Sequence, residues 1–196
     1  MDTRVAWPRT QDRKTVLQSQ LKRRYRAMDS LAQTAFTYAS AAHAAVSQRR
    51  KYTNEPYIVH PARVAVTVAK FGGTDEMIAA AYLHDVVEDT GVSIVDIQDM
   101  FGTDVALIVD GLTDVSKPED GNRAVRKAMD RQHSAGATYE AQFVKCADII
   151  DNAHDIGAND PSFNVVYRKE MLLLIQVLDK VKGTAIHYAA HEALGQ

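Results

Sequence analysis

Apolar side chains recur every three to four positions along almost the whole chain, the spacing that places them on one face of an α-helix. No sustained alternation of apolar and polar residues predicts strands, and no turn pair is flanked by such segments. The pattern predicts an all-α fold, a compact bundle of several helices. A flexible tail is expected at residues 1–12 and a single domain over 13–196, with longer helices at 13–27, 30–48, 60–70, 75–89, 122–135, 137–155, 162–181 and 184–194.

Residues that favour helix ends divide the predicted helices. Thr74, Ser93 and Thr103 each precede a helical apolar pattern and are predicted N-caps, whose side chains accept hydrogen bonds from free backbone amides. Gly102 is predicted to end the short helix between the last two. The segment 163–181 is apolar on nearly every side, so we expect its helix to be central or to lie in a dimer contact.

Composition narrows the class of protein. Of 196 residues, 46% are hydrophobic and 24% charged, which is typical of a globular domain. The apolar stretches end well before the roughly 18 residues that a membrane span needs, so no membrane partner is expected. The N-terminus lacks the apolar run of a secretory signal, and the single Cys146 excludes an internal disulfide. A cytoplasmic protein is predicted.

Charge is unevenly distributed although the net charge is only -2. Residues 1–51 contain eleven Lys and Arg against three Asp and Glu, whereas residues 74–114 contain ten acidic and no basic residues. The small net charge gives no reason to expect a nucleic-acid partner. The acidic segment is either a solvated surface or a place that holds cations.

The densest chemical pattern lies in the predicted helix 75–89, which reads Tyr-Leu-His-Asp-Val-Val-Glu-Asp over residues 82–89. Because residues four apart share a helix face, its polar residues form one stripe, which contains His84, Asp85, Glu88 and Asp89. Carboxylates this close repel one another. A bound metal ion would relieve the repulsion, and an ordinary solvated helix face is the alternative.

Two distant segments supply further candidate ligands. His60 precedes Pro61 at a predicted helix start, and Asp148 ends an apolar run. Side chains from separate helices can meet in the core of a bundle. The order of His60, the His84-Asp85 doublet and Asp148 resembles the HD superfamily of metal-dependent phosphohydrolases, in which such residues hold one divalent ion.

Longer motifs narrow this resemblance. Residues 50–61 read Arg-Lys-Tyr-Thr-Asn-Glu-Pro-Tyr-Ile-Val-His-Pro, residues 84–90 read His-Asp-Val-Val-Glu-Asp-Thr, and residues 145–148 read Lys-Cys-Ala-Asp. Over about residues 30–155 the chain is similar to the hydrolase domain of the Rel/SpoT stringent-response enzymes. Its length favours the stand-alone small alarmone hydrolases, a group that includes the metazoan SpoT homologue.

The resemblance implies Mn²⁺-dependent removal of the 3′-diphosphate from guanosine 3′,5′-bis(diphosphate) (ppGpp) or its pentaphosphate relative, which gives GDP or GTP and pyrophosphate. It implies four metal ligands, His60, His84, Asp85 and Asp148. It implies two catalytic carboxylates, Glu88 and Asp89. It implies substrate contacts by Arg50, Lys51, Lys145 and Asn152. Imidazole and carboxylate ligands also suit Fe, Co or Zn, so other divalent metals remain open.

The chain departs from the family pattern after Asp148. Ile149 and His154 stand where the family commonly has basic residues, and Asp151 precedes the matching asparagine. We therefore expect two cations near the substrate phosphates to be missing. Ser47 also stands where the family often has glycine, as does Asn54.

These departures leave the substrate open. An adenosine alarmone and the 2′-phosphate of NADPH are alternative substrates, and a nucleotide-sensing module without turnover is an alternative class of function. Loss of the ligands or of the acidic pair would be expected first in such a module, and both are present. Replacement positive charge is expected from Lys117, Arg123, Arg126 and Lys127. The sequence leaves a homo-oligomer open.

Overall fold

Helices make up most of the described part of the molecule. The computed structural model describes residues 31–195, so the predicted tail at 1–12 and helix at 13–27 lie outside the described residues. Helix α1 covers residues 31–45. The later helices are α2 (Val59–Lys70), α3 (Asp75–Leu83), α4 (Val86–Asp89), α5 (Ile94–Phe101), α6 (Thr103–Leu112), α7 (Arg123–Gly136), α8 (Tyr139–Asn159), α9 (Pro161–Ile175) and α10 (Ala185–Ala193). No strand occurs within residues 31–195, and the all-α prediction is confirmed.

Side-chain caps fix where several helices begin. The Thr74 hydroxyl accepts a hydrogen bond from the Met77 amide at 3.3 Å, which starts α3 as predicted. Ser93 starts α5 in a reciprocal capping box with Asp96. The prediction for Thr103 is wrong, because Gly102, with a φ of 87°, is the N-cap of α6 and Thr103 is already helical.

Helix α8 is the central element of the bundle and packs against α2, α3, α6, α9 and α10. Its residues Val144, Ala147 and Ile149 are fully buried. Cys146 is also fully buried, and burial raises the pKa of its thiol to about 12, which leaves an inert thiol in the core. No helix within residues 31–195 combines the length and apolar character that a membrane span requires.

The predicted helix 75–89 is interrupted. The prediction that its polar residues form one stripe along a continuous helix is therefore wrong. Helix α3 ends at Leu83 and α4 begins at Val86, so His84 and Asp85 lie in a turn between them. The His84 Nδ1 lies 2.8 Å from the carbonyl oxygen of Ala81, which would accept the Asp85 amide in an unbroken helix. The side chain thus competes with the backbone at the break.

The expectation of a central helix over 162–181 is also wrong. Helix α9 ends at Ile175, and a separate 3₁₀ turn covers Asp179–Val181. Along α9 the apolar side chains Val165 and Leu173 are 56% and 49% exposed. The helix therefore lies at the surface of the bundle, and its alternative role in a dimer contact stays a prediction.

Candidate metal centre and active site

Four predicted ligands from three parts of the chain meet at one point. His60 lies in the first turn of α2, His84 and Asp85 lie in the turn after α3, and Asp148 lies in the middle of α8. The His60 Nε2 is 3.1 Å from Asp148 Oδ1, and the His84 Nε2 is 3.1 Å from Asp85 Oδ2. The two crossed histidine–aspartate distances are both 3.6 Å. The structure thus brings together all four residues, of which His60, His84 and Asp85 form a group with metal-binding spacing.

The hydrogen bonds of the histidines fit a metal site. Because a carbonyl oxygen only accepts, the Ala81 contact keeps a proton on His84 Nδ1, so the neutral ring has its lone pair on Nε2. This Nε2 is buried and makes no hydrogen bond to any of residues 31–195. His60 donates from Nδ1 to Asp151 at 2.6 Å, which likewise directs its Nε2 lone pair toward Asp148. Two imidazole nitrogens and two carboxylates suit a divalent transition metal.

Electrostatic coupling holds protons in the cluster. Burial by itself lowers the pKa of His84, but Asp85 and Asp148 outweigh burial and raise that pKa well above its ordinary value. Burial by itself raises the pKa of Asp148, but His60 and His84, whose Nε2 atoms lie 3.1 and 3.6 Å from Asp148 Oδ1, hold that pKa well below its usual range. The site therefore concentrates protons on its imidazoles, where a divalent cation would replace them.

Residues outside the four ligands orient them. Asp151 receives the His60 hydrogen bond and is also bound by Arg63, from Nε at 2.6 Å and from the terminal guanidinium nitrogen at 3.1 Å. Tyr57 donates its hydroxyl to Asp85 at 2.6 Å. From the sequence, Asp151 was identified only as a departure from the family pattern and not as a residue of the site. Its spacing of three from Asp148, which places both on one face of α8, is the signal that could have identified it.

The predicted catalytic pair borders the metal cluster. Glu88 accepts a hydrogen bond from the Asp114 amide at 2.5 Å, and Asp89 accepts one from Gln48 at 2.8 Å. Glu88 is exposed toward a cavity, yet the protein on its other sides displaces enough water to raise its pKa to about 7, with help from Asp114. Burial also raises the pKa of Asp89. Gln48 is in turn held by the buried His43, whose Nδ1 lies 2.6 Å from its side-chain oxygen.

Lys145 and Asn152 lie on the same side of α8 as Asp148. All three line a cavity of about 190 Å³ that Asp85 and Glu88 also border. Asn152 donates to Asp148 Oδ1 at 2.6 Å, and Lys145 donates to a backbone carbonyl at 3.1 Å with its Nζ 3.9 Å from Asp148 Oδ2. The cavity is therefore continuous with the metal cluster and has a cation and an amide in its wall.

Arg50 and Lys51 lie apart from this cavity and do not line it. Arg50 is buried, forms an ion pair with Asp155 near the end of α8, and lies over the Tyr57 ring. Lys51 is 72% exposed, with its Nζ 3.6 Å from Asp160. Their predicted substrate contacts stay a prediction.

The departures from the family pattern have structural explanations. Ile149 is buried in the core, and His154 lines a separate cavity of about 800 Å³, so neither position borders the 190 Å³ cavity. Ser47 and Asn54 have φ values of 54° and 58°, in the left-handed region that favours glycine. This conformation explains why the family often has glycine at both positions.

A helical bundle with a histidine–aspartate cluster between its helices defines the class of protein. A comparison with known families matches the HD domain over residues 35–178. The chain belongs to the HD-domain family.

Individual relatives agree with this assignment. The chain is 34% identical over 142 residues to the guanosine-3′,5′-bis(diphosphate) 3′-pyrophosphohydrolase MESH1 of Drosophila melanogaster, covering 70% of this chain and 78% of that protein. It is 37% identical over 130 residues to a probable enzyme of the same name from Synechocystis, covering 65% of this chain and only 17% of that protein. The structure of a metazoan SpoT orthologue that hydrolyses ppGpp matches with a TM-score of 0.68 and 27% identity over 84% of this chain and 93% of that one. The resemblance to the Rel/SpoT hydrolases is confirmed.

Proposed function

We propose that the protein is a divalent-metal-dependent phosphohydrolase that removes the 3′-diphosphate from ppGpp or its pentaphosphate relative. The convergence of His60, His84, Asp85 and Asp148 beside a cavity bordered by Glu88 is the observation that supports this most. Similarity to the Drosophila enzyme and to the metazoan orthologue supports the choice of guanine nucleotide. The proposed metal is Mn²⁺. We further propose a cytoplasmic location, which the lone buried Cys146 supports.

The chain's own residues account for proton movement in this reaction. When bound, the metal supplies a Lewis acid that polarises a phosphate group and makes water more acidic. Glu88 Oε1 is held by the Asp114 amide, and Oε2 makes no hydrogen bond within residues 31–195. With a pKa of about 7, Glu88 can take a proton from water or return one to the leaving oxygen near neutral pH. Asp89, held by Gln48, is positioned as the second carboxylate.

The test begins with protein stripped of metal by a chelator. Mn²⁺ is then restored, and GDP and pyrophosphate are measured with ppGpp as substrate, beside parallel reactions with the adenosine analogue and with NADPH. The proposal expects metal-dependent turnover of ppGpp. Turnover of only one of the other nucleotides would assign the site to that nucleotide, and tight nucleotide binding without any turnover would assign it to a sensor.

The variant Glu88→Gln separates chemistry from binding. We expect it to keep Mn²⁺ and nucleotide affinity while kcat falls at least 100-fold, since a positioned acid or base contributes about that much. Glu140→Gln makes the same change in a carboxylate at the remote start of α8 and should keep the full rate. A full rate in Glu88→Gln would remove Glu88 from the mechanism.

A further inference from the structure

Helix α7 turns a polar face, rather than an apolar one, toward the metal cluster. Its only buried residues are Asp130 and Ser134, and its apolar residues Val125 and Met129 are 44% and 37% exposed. An amphipathic helix on a globular domain usually buries its apolar side. The reversed orientation of α7 therefore places polar and charged side chains, rather than apolar ones, on its inner face.

A cavity distinct from the 190 Å³ and 800 Å³ cavities lies beneath this helix. It has a volume of about 430 Å³ and is bordered by both carboxylates of the proposed catalytic pair. It shares four lining residues with the 190 Å³ cavity, namely Glu88, Asp114, Lys127 and Asp130. The two cavities are therefore adjoining parts of one site, and a ligand at the metal cluster can extend into the larger part.

The cations in the 430 Å³ cavity differ in how they are paired. Arg123 is occupied by Glu170, with two hydrogen bonds of 2.7 Å. The Lys127 Nζ is 2.7 Å from Asp114 Oδ2 and 3.5 Å from Asp130 Oδ2. Arg126 forms no ion pair within residues 31–195, and its Nε is buried without a hydrogen-bond partner there. Arg126 is thus the guanidinium whose charge and donors are still available.

We propose that the 430 Å³ cavity is the subsite for a diphosphate group of the nucleotide, with Arg126 as its main contact and Lys127 as the second. This inference rests on the proposed function. A guanidinium donates two parallel hydrogen bonds to phosphate oxygens, and an ammonium can exchange a carboxylate partner for a phosphate. The cations of this subsite come from α7 and not from positions 149 and 154, where the family commonly has basic residues and this chain has Ile and His.

Calorimetric titration of the Mn²⁺-loaded protein tests the subsite directly. Pyrophosphate probes a site for the departing diphosphate, and GDP probes a site for the diphosphate that stays on the nucleoside. Arg126→Gln should weaken the binding of one of these probes at least tenfold. Lys182→Gln removes the same charge from a side chain that is 72% exposed and whose ion pair within residues 31–195 is with Asp179, so it should change neither affinity.

Steady-state kinetics with ppGpp separates this inference from the proposed function. Arg126→Gln should raise KM at least tenfold and leave kcat within about twofold, because the contact forms in ground state and transition state alike. Unchanged affinity for both probes in Arg126→Gln, with normal turnover, would overturn the subsite and leave the function standing. If Arg126→Gln weakens probe binding but neither the wild type nor any variant hydrolyses ppGpp, the proposed function is overturned and the subsite is kept.

Discussion

Asp151→Asn removes the charge that orients His60 while keeping the size of the side chain. In the wild type Asp151 accepts from His60 Nδ1 at 2.6 Å and is bound twice by Arg63, and its side chain is only 10% exposed. The asparagine oxygen can still accept the hydrogen bond from His60 Nδ1, but without the negative charge it no longer raises the basicity of the imidazole. Arg63 also loses its charged partner.

The expected effect is a loss of metal affinity. Carboxylates that hydrogen-bond a ligating histidine typically contribute 10- to 100-fold to metal binding, or about 1.4–2.7 kcal/mol. Asp151→Asn should lie near the lower end of this range, since one hydrogen bond survives. Asp151→Ala, which removes the acceptor altogether, should lie near the upper end.

Competition with a fluorescent chelator for Mn²⁺ measures this affinity without reference to turnover. Asp179→Asn removes a remote, 77% exposed carboxylate and should bind Mn²⁺ like the wild type. Thermal unfolding of each metal-free variant shows whether the fold is retained. Wild-type Mn²⁺ affinity in a folded Asp151→Ala protein would refute the role of Asp151.

Two further predictions concern the pH dependence of the cluster and the end of α1. Asp85 and Asp148 outweigh burial and raise the pKa of His84, so Mn²⁺ must displace a proton when it binds. In titrations from pH 8 to 6, the Mn²⁺ affinity should therefore fall as the pH falls, by about tenfold per pH unit for each proton displaced. Ser47 occupies the left-handed position of a Schellman turn, in which Gln48 N donates to His43 O at 3.0 Å. Ser47→Gly should therefore stabilise the fold by about 1 kcal/mol and raise Tm by roughly 2–4 °C; a lower Tm would contradict this.

The sequence contains enough information to predict the helices and the meeting of the four candidate ligands. Helical periodicity predicts α2, α7, α8 and α10 to within a few residues of their observed bounds. The ligand order was recognisable since the doublet at 84–85 and the residues His60 and Asp148 are short, well-separated motifs. The structure adds the distances of 3.1–3.6 Å that bring them into one cluster.

Other features depend on side-chain contacts, local or tertiary, that periodicity does not encode. At the break, the His84 side chain contacts the Ala81 carbonyl, where it competes with a backbone hydrogen bond. The surface position of α9 depends on which neighbours are available, so its apolar residues did not predict burial. The role of Asp151 became visible only once α2 placed His60 and Arg63 against α8.

Because the inner face of α7 is polar, the packing of this helix against the bundle should be sensitive to ionic strength. Salt bridges from Arg123 to Glu170 and from Lys127 to Asp114 join this helix to its neighbours, while little apolar surface holds it in place. Dissolved salt weakens partly exposed ion pairs but leaves apolar packing largely intact. Rising salt should thus loosen α7, which forms a wall of the 430 Å³ cavity, before it affects the core around α8.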